Sequence, residues 1–253
     1  FVGYITAGDP DLAHTERRVL ELEQAGVDVV ELGVPFSDPL ADGPTNQAAA
    51  ERALAAGTTF AGILETVRRI RAKSDIPLVL FSYLNPLVAQ GFEHACREAY
   101  DAGVDGFLLV DLSREEARPF QRSMREAGLD PIVLVTPTST DERIRRIVRN
   151  GRGFVYCVSR EGVTGAQETL AGRAEELVRR TRGVTRLPVA LGFGISSPEQ
   201  AAEVGRFADA VVVGSALVQR FHESADDPQR HEETLKWIKD MVVAVKAGDS
   251  HDG

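Results

Sequence analysis

Short runs of β-branched and apolar residues recur along the chain, at Val2–Thr6, Val27–Leu32, Pro77–Ser82, Gly106–Val110, Pro131–Val135, Gly153–Cys157, Pro188–Leu191 and Ala210–Val213. Most are apolar on consecutive positions rather than alternating, as strands of a parallel sheet are when both faces are covered. Between them lie amphipathic stretches with helical spacing, among them Thr15–Gln24, Phe92–Ala102, Arg114–Ala127, Asp141–Arg149 and Glu175–Arg182. Asp141 and Ser197 stand where N-caps belong. Gly26, Gly103 and Gly128 follow helix ends, where a positive φ is easily adopted. The segments AGVDVVEL at 25–32 and AGVDGFLL at 102–109 repeat one helix-to-strand junction. Eight such β–α units with no Ser/Pro-rich linker predict a single α/β domain over residues 1–253, a (β/α)8 barrel. A doubly wound open sheet would want a glycine-rich dinucleotide turn after the first strand, and TAGDPD has one Gly. Phe1 already lies inside an apolar run, so the expectation is that the natural chain begins earlier and some N-terminal residues are missing.

The chain carries 29 Lys+Arg against 38 Asp+Glu, a formal charge of −9. That balance repels phosphate backbones and anionic lipid, so the expected partners include neither nucleic acid nor a membrane, while a small anionic metabolite in a local pocket remains allowed. The longest apolar runs, such as IPLVLF and AVVVG, are strand-sized and well short of the roughly 18 residues that cross a bilayer. Two cysteines, Cys96 and Cys157, are too few for a disulfide framework, which fits a reducing cytoplasm.

In a barrel of this class the site sits at the C-terminal ends of the strands. Ionisable residues predicted there are Asp9, Glu31, Asp42, Asp111, Tyr83, Tyr156, Arg160 and Glu161. The lysines (73, 236, 239 and 246) fall on helices or their ends, which removes a Schiff-base lysine, and no His ends a strand to hold a metal, so carboxylates are left to move protons. Glu31 lies inside the apolar strand VDVVELGV, where an inward carboxylate loses hydration and its pKa rises, as a general acid near neutral pH requires. The bland alternative is a strand-end Glu paired with a neighbouring donor. Asp42 sits in the long segment Gly33–Gln47, where a turn-forming Asp beside Gly43 and Pro44 is as good a reading on spacing alone. Asp38, before Pro39, reads as a turn or interface residue, Asp111 as a loop-orienting one, and Asp9 equally well as a helix cap. Strand seven ends in GFGIS, strand eight in VVGSA, and a short helix can start at Ser215. Together Gly194, Gly214 and Ser215 predict a phosphate site, to which Gly165 could add a backbone contact. A second long segment, Ser159–Thr169, reads as a lid. Arg143, Arg145, Arg146 and Arg149 read as a solvated helix face, Trp237, Ile238, Met241 and Val242 as the core stripe of the last helix, and both cysteines as packing residues.

Four segments then carry a resemblance: YITAGDP at 4–10, ELGVPFSDPLADGPTNQ at 31–47, SRxGVTG at 159–165 with Glu161 at the variable place, and GFGISSPEQ at 192–200. In this order along the chain they resemble the tryptophan synthase α subunit family. The resemblance implies retro-aldol cleavage of indole-3-glycerol phosphate to indole and glyceraldehyde 3-phosphate, in tryptophan biosynthesis. It implies Glu31 as the acid/base, Asp42 on the indole N–H, Tyr156 near the catalytic Glu, and Thr164 as the loop residue that closes over Asp42. It makes Gly165, Gly194, Gly214 and Ser215 phosphate-binding positions, and adds Tyr4, Tyr83 and Phe193 to the substrate contacts. No cofactor is implied on this chain, since pyridoxal phosphate belongs to the β subunit that completes an α2β2 assembly. Contacts to that partner are implied at Asp38, Pro39, Asn85 and Pro86. Gly3 and Ser113 depart from the family, which usually has Pro at both places, and by this resemblance the helix that precedes strand one in the family is expected to be missing here. Alternatives are a stand-alone lyase acting without a β subunit, a non-catalytic barrel that only activates one, and another phosphosugar enzyme on the same scaffold.

Overall fold

All eight apolar runs are strands of one closed parallel barrel, in which each strand pairs with its neighbour in sequence and the last pairs with the first. They are β1 (Val2–Thr6), β2 (Val29–Gly33), β3 (Leu78–Ser82), β4 (Gly106–Leu109), β5 (Asp130–Val135), β6 (Val155–Val158), β7 (Val189–Gly192) and β8 (Ala210–Val213). The computed structural model describes residues 1–113, 116–158, 167–192 and 194–248. Closure is made by Val2 and Gly3 against Val212 and Val213. The predicted (β/α)8 barrel is therefore the observed fold.

The helices are α1 (Leu12–Gln24), α2 (Pro44–Ala55), α3 (Phe60–Arg71), α4 (Leu84–Val88), α5 (Phe92–Ala102), α6 (Ala117–Ala127), α7 (Asp141–Val148), α8 (Gln167–Arg182), α9 (Pro198–Gly205), α10 (Ser215–Glu223) and α11 (Pro228–Gly248). Their buried stripes pack on the outward residues of the strands, including Ile5, Leu32, Leu80, Phe107, Val133 and Leu191. Inward residues such as Val79, Leu108 and Ile132 fill the barrel. Both faces of each strand are thus apolar, and this is why the runs do not alternate. Trp237, Ile238, Met241 and Val242 are buried on α11, as expected.

Several boundaries differ from the pattern, each for a local reason. β2 begins at Val29 because Val27 still belongs to the helix-to-strand turn, donating its N–H to Leu22 O at 3.1 Å. The cap of α7 is Thr140, whose Oγ1 accepts the Arg143 N–H at 3.3 Å, and Asp141 is the first helical residue. Ser197 does cap α9. Asp9 is not a cap either, because Asp11 holds that position on α1 and accepts the His14 N–H at 2.8 Å. Asp9 instead forms a part-buried bidentate pair with Arg52 of α2, both contacts 2.8 Å. The predicted segment Gly33–Gln47 is shorter than expected, since Pro44 pre-sets φ for a helical start and α2 begins there. Gly26, Gly103 and Gly128 take φ of 93°, 99° and 95°, as their places after helix ends require.

Candidate active site

At the C-terminal end of the barrel the inward positions change from aliphatic to polar. Tyr4 and Glu31 face each other across the β1–β2 register. Together with Asp42, Tyr156, Gly194, Gly214 and Ser215 they line one cavity of about 500 Å³. Phe81, Leu134 and Val212 supply much of its apolar wall. Sequence reading missed these three, since nothing in an uninterrupted apolar run separates an inward residue from an outward one.

Glu31 is fully buried, and both carboxylate oxygens lack a hydrogen-bond partner. Burial alone pushes its pKa up to about 8, far above the usual carboxylate range. At neutral pH the group is therefore mainly the neutral acid, with its proton available to whatever enters the cavity. The neighbouring donor considered for it is not found among the described residues.

Asp42 is placed by a short, braced loop between β2 and α2. Its N–H bonds Pro39 O at 3.0 Å, and Gln47 Nε2 reaches back to Asp42 O at 3.0 Å. Tyr83, the residue after β3, donates its O–H to Asp42 Oδ2 at 2.8 Å and accepts the Ala41 N–H at 2.8 Å. The Tyr83 hydroxyl is held well above its ordinary pKa by burial and by this bond to Asp42. Tyr83 is thus a brace behind the carboxylate and does not line the cavity.

The opposite end of the cavity is built from backbone. α10 starts at Ser215, and its N-cap Gly214 offers no side-chain acceptor, so the first N–H groups stay open toward the cavity. Gly194 adopts φ 51°, and a Cβ placed there would meet nothing within 4 Å. The two glycines leave the backbone approachable, which suits an anion such as a phosphate.

Two further glycines make room for the phenols. A Cβ on Gly33 would run into the Tyr4 phenol, and one on Gly192 would run into that of Tyr156. Tyr4 also meets Phe81 edge to face, with ring centroids 5.1 Å apart. Both hydroxyls are held well above their ordinary pKa, chiefly by burial, and serve as hydrogen-bonding groups rather than phenolates.

Of the remaining residues, Thr164, Gly165 and Phe193 lie outside the described residues, as do Arg160, Glu161 and most of the segment 159–169, whose last three residues belong to α8. Asp111 accepts the Leu84 N–H at 2.8 Å and so ties the loop after β4 to α4. Asp38 and Pro39 sit in the Asp42 loop, and Asn85 and Pro86 lie on α4. Leu40 is 90% exposed and Val88 46%, so each of these two segments presents a bare apolar side chain. Cys96 and Cys157 are free and buried, and burial pushes their thiols up to about 12 and about 11, which fits packing residues. Among the described residues no group of three His, Cys, Asp or Glu is placed to hold a metal ion, and no helix is long and apolar enough to cross a membrane.

Residues 1–246 match the family model described as tryptophan synthase alpha chain. The tryptophan synthase alpha chain of Citrifermentans bemidjiense is 51% identical over 98% of this chain and 91% of its own length. That of Geobacter sulfurreducens is 54% identical over 87% of this chain and 83% of its own. Among solved structures, the tryptophan synthase alpha subunit of Legionella pneumophila superposes with a TM-score of 0.88 at 35% identity, covering 97% of this chain and 92% of that one. A tryptophan synthase complex from Pyrococcus furiosus contains a chain that superposes at 0.86 and 36% identity, covering 96% of this chain and 97% of that one.

Proposed function

Since this chain belongs to the tryptophan synthase alpha chain family, we propose that its barrel mouth is the lyase site, with Glu31 as acid and base and Asp42 as anchor of the indole ring. The chain is a carbon–carbon lyase that cleaves indole-3-glycerol phosphate to indole and glyceraldehyde 3-phosphate. Glu31, protonated as bound, gives its proton to carbon 3 of the indole. The ring then carries positive charge and becomes the electron sink, while the carboxylate left on Glu31 takes the proton of the hydroxyl on the adjacent glycerol carbon. The bond between that carbon and the ring breaks, its electron pair returns to the indole, and the carbon leaves as the aldehyde. One proton moves from hydroxyl to ring and nothing else is consumed. The carboxylate of Asp42 accepts the indole N–H and stabilises the ring cation, more strongly as charge develops than before.

The observation that carries this reading is the buried, unpartnered carboxyl of Glu31 in a cavity that also holds Asp42 and an open helix N-terminus. The phosphate lies against Gly194, Gly214 and Ser215, with Tyr4 and Tyr156 beside the reacting carbons. On the same reading Phe193, Thr164 and Gly165, outside the described residues, are further substrate-contact positions.

The partner is a β subunit in an α2β2 assembly, which carries the pyridoxal phosphate; this chain uses no cofactor of its own. Exposed Leu40 and Val88, beside Asp38–Pro39 and Asn85–Pro86, support a contact there. The relatives are named as alpha chains, which does not favour the stand-alone alternative. The reaction takes place in the cytoplasm. The test is indole release from indole-3-glycerol phosphate by the purified chain, with and without an added β subunit. Activity that rises with the β subunit supports the reading, and no indole in either case defeats it.

A further inference from the structure

Helices α6 and α7 flank β5 and leave between them a second cleft of about 500 Å³, on the outside of the barrel. Its floor is apolar, made by Met124, Val133 and Ile147. Its rim carries Arg118, Arg143, Arg146 and Arg149, and no Asp or Glu is among the lining residues, on a chain whose formal charge is −9. Arg146 reaches out to Glu142, while the other three form no ion pair among the described residues. The helix face that reads from sequence as merely solvated therefore supplies part of the wall of a cavity.

Gln121 gives the cleft its second feature. The residue is only 9% exposed, on the α6 face that lines the cleft, and its amide has no hydrogen-bond partner among the described residues. Its amide atoms are not sealed from solvent, so water in the cleft satisfies them and a polar guest can take the place of that water. An unpartnered amide at an apolar floor under a cationic rim asks for one kind of guest.

We propose that this cleft binds an organic anion, its apolar body on Met124, Val133 and Ile147, its carboxylate, sulfonate or phosphate group at Arg118 and Arg143, and a polar atom in reach of Gln121. The size fits a small ligand, since pockets for such molecules run from roughly 300 to 1,000 Å³. Val110, Leu134 and Thr136 line both this cleft and the barrel mouth, so a ligand here lies against the wall of the reaction cavity without occupying it.

The probe is 8-anilinonaphthalene-1-sulfonate, titrated by fluorescence into the whole chain at low salt and checked by equilibrium dialysis for stoichiometry. The expected result is one equivalent bound in the micromolar range, with affinity reduced about tenfold by Arg118→Ala combined with Arg143→Ala, and several-fold by Gln121→Leu. Both arginines are exposed, so that double variant keeps its fold even if Gln121→Leu does not. Gly214→Val, at the other cavity, should leave the titration unchanged. Binding indifferent to the two arginines, or abolished by Gly214→Val, would overturn the proposal, as would binding of many equivalents with no defined site.

Discussion

Tyr83 holds Asp42 from behind: its hydroxyl donates to Asp42 Oδ2 while accepting the Ala41 N–H, both at 2.8 Å, so carboxylate and loop are fixed by one phenol. Tyr83→Phe removes both bonds and keeps the ring, which still packs on Phe36 at a centroid distance of 5.3 Å. We expect kcat to fall by about ten- to a hundredfold, since a carboxylate released from its geometry loses positioning. Phosphate affinity, measured by inorganic phosphate inhibition, should stay within about twofold, because that end of the cavity is built on other strands. Equal losses in both would refute the assignment of Tyr83 as a brace for Asp42 alone.

Glu31→Gln should keep the fold and lose several orders of magnitude in turnover, because the amide is nearly isosteric and has no proton to exchange. Near-normal indole production by this variant sinks the assignment. In the unaltered chain, kcat/KM should decline as pH rises through about 8, where the buried carboxyl gives up its proton.

The same group makes a prediction about stability. Its folded pKa of about 8 stands above the unfolded value near 4.5. Between those two pH values the unfolded chain binds fewer protons than the folded one, so stability falls as pH rises, by up to about 1.4 kcal/mol per pH unit from this residue. Below the unfolded value both states are protonated and the effect vanishes. Glu31→Gln should therefore gain thermal stability over the unaltered chain across that window, and the gain should level off above pH 8. Urea titrations at pH 5 and pH 8 measure it, and a difference that shrinks with pH contradicts the burial argument.

Gly214→Val tests the phosphate end. A Cβ there would meet Tyr4 atoms no closer than 3.7 Å, so the barrel should tolerate the branch. The defect should appear as a raised KM with the melting temperature little changed, as the side chain crowds the open start of α10. A loss confined to kcat would place the anion elsewhere.

Arg52→Ala leaves Asp9 buried, at 3% exposure, without its bidentate partner. Removing Arg52 from this part-buried pair costs about 1–3 kcal/mol, since Asp9 loses two charge-assisted bonds while the Arg18 charge still acts on it. The denaturation midpoint should drop accordingly, and Asp9→Asn combined with Arg52→Ala should recover part of the loss.

The barrel was legible because burial on both faces writes each strand as an uninterrupted apolar run. The same property hid the cavity wall, since Phe81, Leu134 and Val212 look no different from the outward residues that pack under helices. Glu31 stood out as one charge within such a run. Neighbouring cap candidates were harder to separate: Asp141 and Thr140 can both accept a backbone N–H, and only the geometry of the first turn chooses between them. The brace from Tyr83 to Asp42 joins residues 41 positions apart, and no local spacing encodes it. The likeness to a family supplied the chemical roles that residue types alone left open.

The notches at Gly33 and Gly192 bear on how this sequence can drift. Each glycine is matched to a phenol on a neighbouring strand, Tyr4 for one and Tyr156 for the other, so within each pair one change conditions the next. A larger residue at 33 becomes tolerable once the side chain at 4 has shortened, and the order of the two events decides whether the lineage passes through a crippled intermediate. Scanning single substitutions would mark all four positions as immutable, whereas a library that varies the members of a pair together should recover active combinations.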